Sequence, residues 1–206
     1  MTNRVHVVFL SALATIAIGL HITALAAPPL SAIPIIIDPY HLGISTSAWV
    51  PGAGINGGQG LVMQKNGPTS AQSYPSAEIA KVRGIDAYSI ILGFDYKDGD
   101  CTTSSPYLWL DTVAKASDAN KYPDSAVGHY FMCSSGTHQL DTPIPGWNRV
   151  TFTASDADSS SPIVAGTVVA DLYLDFRDGT DTLGVLTPGT MIFGNIRVNG
   201  AIITGP

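Results

Sequence analysis

The sequence predicts an all-β fold, an antiparallel β-sandwich carrying one disulfide. Three observations predict it. The acidic residues are fifteen Asp and one Glu, beside 21 Gly and 14 Pro in a chain of 206 residues; Asp, Gly and Pro favour turns, whereas Glu and Lys favour exposed helix faces. Apolar residues recur with period two in several separate runs, the signature of strands with one buried face. Turn dipeptides punctuate those runs: Asn66-Gly67, Asp98-Gly99, Asp178-Gly179 and Asn199-Gly200.

The first element is a processing signal rather than part of the fold. Arg4 precedes an apolar or small-residue run, Val7 to Leu20, and Ala24-Leu25-Ala26 supplies an A-x-A cleavage site. The expected product starts at Ala27, and residues 1–26 are a signal peptide. The competing reading is an uncleaved anchor, because only His21 interrupts the apolar stretch up to Ala27. Residues 27–58 form an extended N-terminal segment. Within it Ile33 to Ile37 is too apolar for a free tail, and Pro34 removes a ladder donor, which suits an edge strand. Residues 59–206 form the sandwich domain.

Strands follow in order. Asp86 to Tyr96 alternates Tyr88, Ile90, Leu92 and Phe94 against Ser89, Ile91, Gly93 and Asp95. Pro106 to Val113 places Tyr107, Trp109 and Asp111 on one face and Leu108 and Leu110 on the other. Val127 to Cys133 is a short strand entering the disulfide. Trp147 to Ala154 turns Val150 and Phe152 one way and Arg149, Thr151 and Thr153 the other. In Thr167 to Arg177, Val168, Ala170, Leu172, Leu174 and Phe176 point inward; Asp171, Tyr173, Asp175 and Arg177 point out to solvent. Thr190 to Asn199 alternates Ile192, Ile196 and Val198 against Asn195 and Arg197, and Ala201 to Thr204 closes the sheet. Val113 to Tyr122 is either a short helix or a surface loop. Such a density of short strands means a sandwich or a barrel.

Composition excludes some functions. Net charge is −6 with no basic cluster, which argues against nucleic acid. Hydrophobic residues make up 45% of the chain, so a core can form. Two cysteines, Cys101 and Cys133, fall in the exported part; an even count in that compartment reads as one disulfide. Metal ligation and thiol catalysis compete with that reading, but neither Cys sits in a C-x-x-C.

Several stretches carry a resemblance: Ile37-Asp38-Pro39-Tyr40-His41-Leu42-Gly43, Gly60 to Lys65, Gly93-Phe94-Asp95-Tyr96 followed by Cys101, Gly146 to Val150, Asp178 to Asp181, and Asn195 to Gly200. Together they resemble a domain of uncharacterised secreted bacterial proteins, over nearly the whole exported chain. The resemblance implies pairing of Cys101 with Cys133 and assigns no activity. Met132 and Phe193-Gly194 depart from the pattern, which has Gly and Leu-Asp there. The closing strands also resemble those of jelly-roll carbohydrate-binding modules, which makes the expected sandwich jelly-roll-like.

For chemistry, no G-x-S-x-G, H-E-x-x-H or phosphate loop is present. Ser134, Ser135, His138 and Asp141 share one loop; a triad needs a rigid frame, and four polar residues on one loop more often make a turn. Asp171 with Asp175 offers the carboxylate pair of a glycosidase, against the plainer role of keeping a strand face polar. Asp178 and Asp181, with Asp175, form a candidate calcium loop, against a capped D-G turn. Asp95, Asp98 and Asp100 form a second. Sugars stack on flat rings and hydrogen-bond to carboxylates. Tyr107, Trp109 and Asp111 on one strand face, and Asp171, Tyr173 and Asp175 on another, are therefore candidate ligand-binding residues, against burial of Trp109 in the core. The expected protein is a secreted, extracellular, non-catalytic module binding carbohydrate or another extracellular or cell-surface polymer. It has no nucleic-acid partner, and no membrane partner once the signal is removed. The alternative is a structural subunit that self-associates through its N-terminal strand, with a hydrolase third.

Overall fold

The computed structural model describes residues 29–102, 105–119, 126–181, 189–203 and 205. The signal segment, the start at Ala27, Tyr122 and Thr204 lie outside the described residues. The described chain forms twelve strands: β1 Ser31–Ile37, β2 Ser45–Val50, β3 Gly60–Lys65, β4 Tyr74–Ala80, β5 Ile91–Lys97, β6 Tyr107–Val113, β7 Val127–Met132, β8 Thr137–Gln139, β9 Asn148–Thr153, β10 Val168–Asp175, β11 Gly189–Val198 and β12 Ala201–Ile203. They build two antiparallel sheets in the expected jelly-roll-like sandwich. One has five strands in the order β1-β4-β10-β6-β7. The other has seven, β2-β3-β11-β5-β9-β8, with β12 on β11.

The two inner faces make one core. Leu108 and Leu110 of β6, Phe131 of β7 and Leu172 and Leu174 of β10 come from the first sheet; Phe94 of β5, Phe152 of β9 and Phe193 of β11 come from the second. Edge-on ring contacts knit it, with Phe94 5.3 Å from Phe193 and Phe131 5.8 Å from Phe152. Cys101, after β5, is bonded to Cys133, after β7, with Cα atoms 5.2 Å apart. At a sequence separation of 32 such a link stabilises by roughly 3–4 kcal/mol on the chain-entropy model.

Period two does not run through every strand unbroken. In β10 the register shifts between Val169 and Asp171, a bulge that adds a residue and flips parity. Val169 therefore enters the main core, while Val168 and Ala170 join a satellite cluster with Val113 and Ala119. A second shift lies between Gly194 and Arg197 of β11, so Met191 and Phe193 share the core with Ile196 and Val198, in place of Ile192. β5 begins only at Ile91, and Tyr88 is 56% exposed rather than inward-facing. Between Val113 and Ala119 the chain makes turns, not a helix.

β1 pairs antiparallel with β4 and leaves its other side as the sheet edge. β2 pairs with β3, and Trp49 of β2 donates its indole N–H to the Ala32 carbonyl at 2.9 Å. The segment 66–73 is pinned from below. The Lys65 ammonium, fully buried, donates to the Thr69 and Ala71 carbonyls at 2.9 and 2.7 Å, and burial pushes its proton affinity down.

Candidate functional site

Strand order makes the site. β10 lies between β4 and β6, far apart in sequence, so three cross-strand pairs form on the outer face: Asp171 with Asp111, Tyr173 with Trp109, and Asp175 with Tyr107. The six candidate ligand-binding residues, read from sequence on two separate strand faces, occupy one. β4 extends two of the rows, setting Glu78 opposite Tyr173 and Ser76 opposite Asp175. β7 extends them on the other side, setting Tyr130 opposite Trp109. With strands about 4.8 Å apart, the row Ile33, Glu78, Tyr173, Trp109, Tyr130 spans roughly 19 Å.

This face holds a groove of about 290 Å³, lined by Ile35, Ile37, Tyr74, Ser76, Glu78, Trp109, Asp111, Tyr173 and Asp175. Trp109 is half-buried and lies 4.9 Å from the Tyr130 ring, which in turn lies 5.7 Å from Tyr107. The indole N–H donates to Asp111 Oδ1 at 2.8 Å. Gly128 permits this: a Cβ there would sit 3.0 Å from Trp109 Nε1 and 3.4 Å from Asp111 Oδ1. Trp109 is thus a groove residue and not a core one. Tyr130 also borders a second hollow against residues 155–159 of the loop after β9.

Two of the carboxylates are more enclosed than an outward strand face implies. Asp171 is 5% and Asp175 4% exposed, which corrects the expectation that the whole outward face of β10 is solvent-accessible. Arg83 covers Asp171, with Nη2 2.8 Å and Nε 3.2 Å from Oδ1. Ser76 donates its hydroxyl to Asp175. Burial pushes the Asp175 carboxyl up, against the hydrogen bond from Ser76. The buried Tyr107 hydroxyl makes no geometrically sound hydrogen bond, yet it lies close enough to Asp175 that each affects the other's ionisation. Burial also pushes Asp111 up; the Trp109 N–H offsets this and the neighbouring Asp171 charge adds to it. Arg177 stacks its guanidinium on Tyr74 at 4.3 Å and on Tyr107 at 5.0 Å, closing one end of the face.

The candidate calcium residues are not brought together. Asp175 faces Ser76. Asp181 accepts from the Thr69 N–H and hydroxyl at 2.6 and 2.7 Å. Asp178 is buried near Asp100, and burial together with that charge pushes its carboxyl up to about 6. Among the described residues no group of three or more His, Cys, Asp or Glu is placed to hold a metal. In the second candidate, Asp95 is spoken for: Arg197 binds it bidentately at 3.0 and 2.8 Å, Arg149 Nε lies at 2.7 Å and Asn195 Nδ2 at 2.8 Å. The loop polar residues are likewise engaged. Ser135 donates to the Met132 and Asp156 carbonyls at 2.8 and 3.0 Å, His138 Nε2 lies 2.9 Å from the Cys133 carbonyl, and Asp141 accepts from the Gly146 N–H at 3.0 Å. None of the four bonds another, so they make a braced loop rather than a triad.

Sequence reasoning missed Tyr74, Ser76 and Glu78, because Pro75 and the weak alternation of Tyr74–Ala80 hide β4. The signal that could have found them is the lone Glu of the chain, four residues after an isolated Tyr.

No family model and no curated protein matches the chain. Among solved structures it is similar to the family 30 carbohydrate-binding module of a cellulosomal cellulase of Clostridium thermocellum, at 13% identity over 84% of this chain and 93% of that one, with a TM-score of 0.49. It is also similar to a family 11 carbohydrate-binding module of another cellulosomal cellulase of the same organism, at 11% identity, 86% and 91% coverage and a TM-score of 0.45. A carbohydrate-binding module specific for non-crystalline cellulose matches at 16% identity, 76% and 82% coverage and a TM-score of 0.37.

Proposed function

We propose that the protein is a secreted, non-catalytic module that binds an extracellular polysaccharide on the outer face of its five-stranded sheet. One observation carries the reading: the β10–β6 register sets Tyr173 beside Trp109 in one open groove, with Asp111 and Asp175 in its lining. Half-exposed flat rings offer a surface to the C–H faces of sugar rings, and adjacent carboxylates accept hydrogen bonds from hydroxyls. The groove crosses the strands, so a chain of sugars can lie along the aromatic row. A pull-down on insoluble polysaccharides tests this. The wild type is retained on at least one, and Trp109→Ala and Tyr173→Ala are washed out. Retention equal to wild type in both variants removes this face from the reading.

A second reading has one observation in its favour. β1 is a sheet edge, and Ile33, Ile36 and Ile37 are substantially exposed, the kind of edge that pairs with another strand. It makes the protein a self-associating structural subunit. Sedimentation of the purified protein separates the two: a concentration-dependent assembly abolished by Ile36→Lys supports the subunit, and a monomer at all concentrations supports the binding module.

A further inference from the structure

We propose that the groove prefers polysaccharides bearing free amino groups and rejects acidic ones. This rests on the sheet face being the polysaccharide-binding surface and goes on to name the class of polymer. The groove lining includes three acidic side chains, Glu78, Asp111 and Asp175, and no basic one. Of the two arginines beside it, Arg83 pairs with Asp171, and Arg177 stacks between the rings of Tyr74 and Tyr107 with its buried Nε unpartnered. Asp175 is buried under Ser76. The charges an incoming ligand meets are therefore Glu78, across from Tyr173 on β4, and Asp111, two residues along β6 from Trp109.

Asp111 is the focus. It stands in register with Asp171, and like charges directly opposite each other across a sheet are destabilising. Asp171 has a guanidinium for compensation. Asp111 has only the indole N–H, a neutral donor, and no cationic partner among the described residues. Burial raises its proton affinity and the Asp171 charge adds to that, against the Trp109 hydrogen bond. An ammonium entering beside Asp111 would do for it what Arg83 does for Asp171. In a partly buried site that attraction is stronger than in water, and the adjacent indole face adds a cation–π contact. A uronate at the same place would meet Glu78 and Asp111, and the groove lining offers no basic side chain to receive it. A neutral hydroxyl would gain a hydrogen bond but no charge compensation.

The test uses the exported chain and three oligosaccharides of equal length: a glucosamine hexamer, its fully N-acetylated form and a galacturonate hexamer. Binding is measured by titration calorimetry at mildly acidic pH, where the sugar amines are protonated. The expected result is that the glucosamine oligomer binds about tenfold more tightly than the acetylated one, as a charge-assisted hydrogen bond implies. The preference shrinks as salt is added, and the galacturonate shows no binding. Asp111→Asn keeps an acceptor for the indole and removes the charge. It should abolish the preference, so that the variant binds the two amino-sugar forms equally, and relief of the Asp171–Asp111 repulsion should keep its melting temperature at or above that of the wild type; Glu78→Gln should reduce the preference. Equal affinity for the two amino-sugar forms, or a preference that survives in both variants, overturns this inference while Trp109-dependent binding of the acetylated form keeps the binding-module reading. Failure of all three oligosaccharides and of the polysaccharide pull-down overturns both.

Discussion

Both sheets bury carboxylates on their outer faces, and Asp95 on one is treated in the opposite way to Asp111 and Asp175 on the other. On the seven-stranded sheet Asp95 is fully enclosed, and two arginines and an amide reach both its oxygens. Burial alone would push its carboxyl up; the hydrogen bonds from Arg197, Arg149 and Asn195 win and hold it below the usual carboxylate range. Trp147 closes over that region, against Gly194, where any side chain would meet the indole, and carries the Lys97 ammonium 5.1 Å from its ring. On the five-stranded sheet the donors to Asp111 and Asp175 are neutral, both carboxyls are pushed up, and the aromatic rings stay half-exposed. A charge saturated by fixed donors belongs to the fold. A charge left with neutral partners beside uncovered rings is what a ligand can complete.

The largest effect should come from the saturated side. Asp95→Ala leaves two arginines partly buried without their anion and should cost about 3–5 kcal/mol, read as a drop in the urea midpoint. A loss under about 1 kcal/mol, the level of an exposed pair, would erase the contrast. The sign of the pH dependence follows from the lowered carboxyl: the Asp95 contribution is complete above its unfolded value of 3.8 and is lost as pH falls through the lower folded value. Acid unfolding should therefore set in earlier for the wild type, relative to its own neutral-pH stability, than for Asp95→Ala.

Asp178 lies on neither face and has neither device. Its carboxyl is raised to about 6 from 3.8, so the folded chain holds a proton that the unfolded chain releases. Stability then declines as pH rises between those values and levels off above them. Asp178→Asn should gain roughly 1–3 kcal/mol at neutral pH, a bound set by a shift of about two units, and nothing below the lower value. Thermal melts across that window check both halves.

On the ligand side, Trp109→Ala should weaken polysaccharide binding by about 1–2 kcal/mol, as loss of a central aromatic commonly does, with far-UV circular dichroism unchanged. The smallest effect is the most specific. Gly128→Ala presses a methyl against the indole and Asp111, at 3.0 and 3.4 Å. It should shift tryptophan fluorescence and weaken binding a few-fold, while stability changes by less than about 1 kcal/mol.

The sequence carried β6, β7, β9 and β12 nearly to their ends, because each has an uninterrupted alternation and a bounding turn. It carried the six candidate ligand-binding residues too, four of which line the groove, since Tyr, Trp and Asp alternate with Leu on β6 and β10. That the two sets meet was not legible: it depends on β10 inserting between β4 and β6, a pairing across about 60 and 95 residues that no local pattern encodes. Parity was misread at β10 and β11, where bulges move Val169, Met191 and Phe193 into the core. The enclosure of Asp171 was invisible because its cover, Arg83, sits in a turn 88 residues away.

The Cys101–Cys133 link joins the end of β5, in one sheet, to the end of β7, in the other. On the proposed reading, a polymer held along the aromatic row would pull across the strands, and Tyr130 of β7 is the last ring of that row. Tension applied there would tend to peel β7 from β6, one ladder rung at a time. The covalent tie hands that load to the opposite layer at the strand's root, so the module should resist being dragged along a moving substrate in oxidising surroundings and slip more readily once reduced.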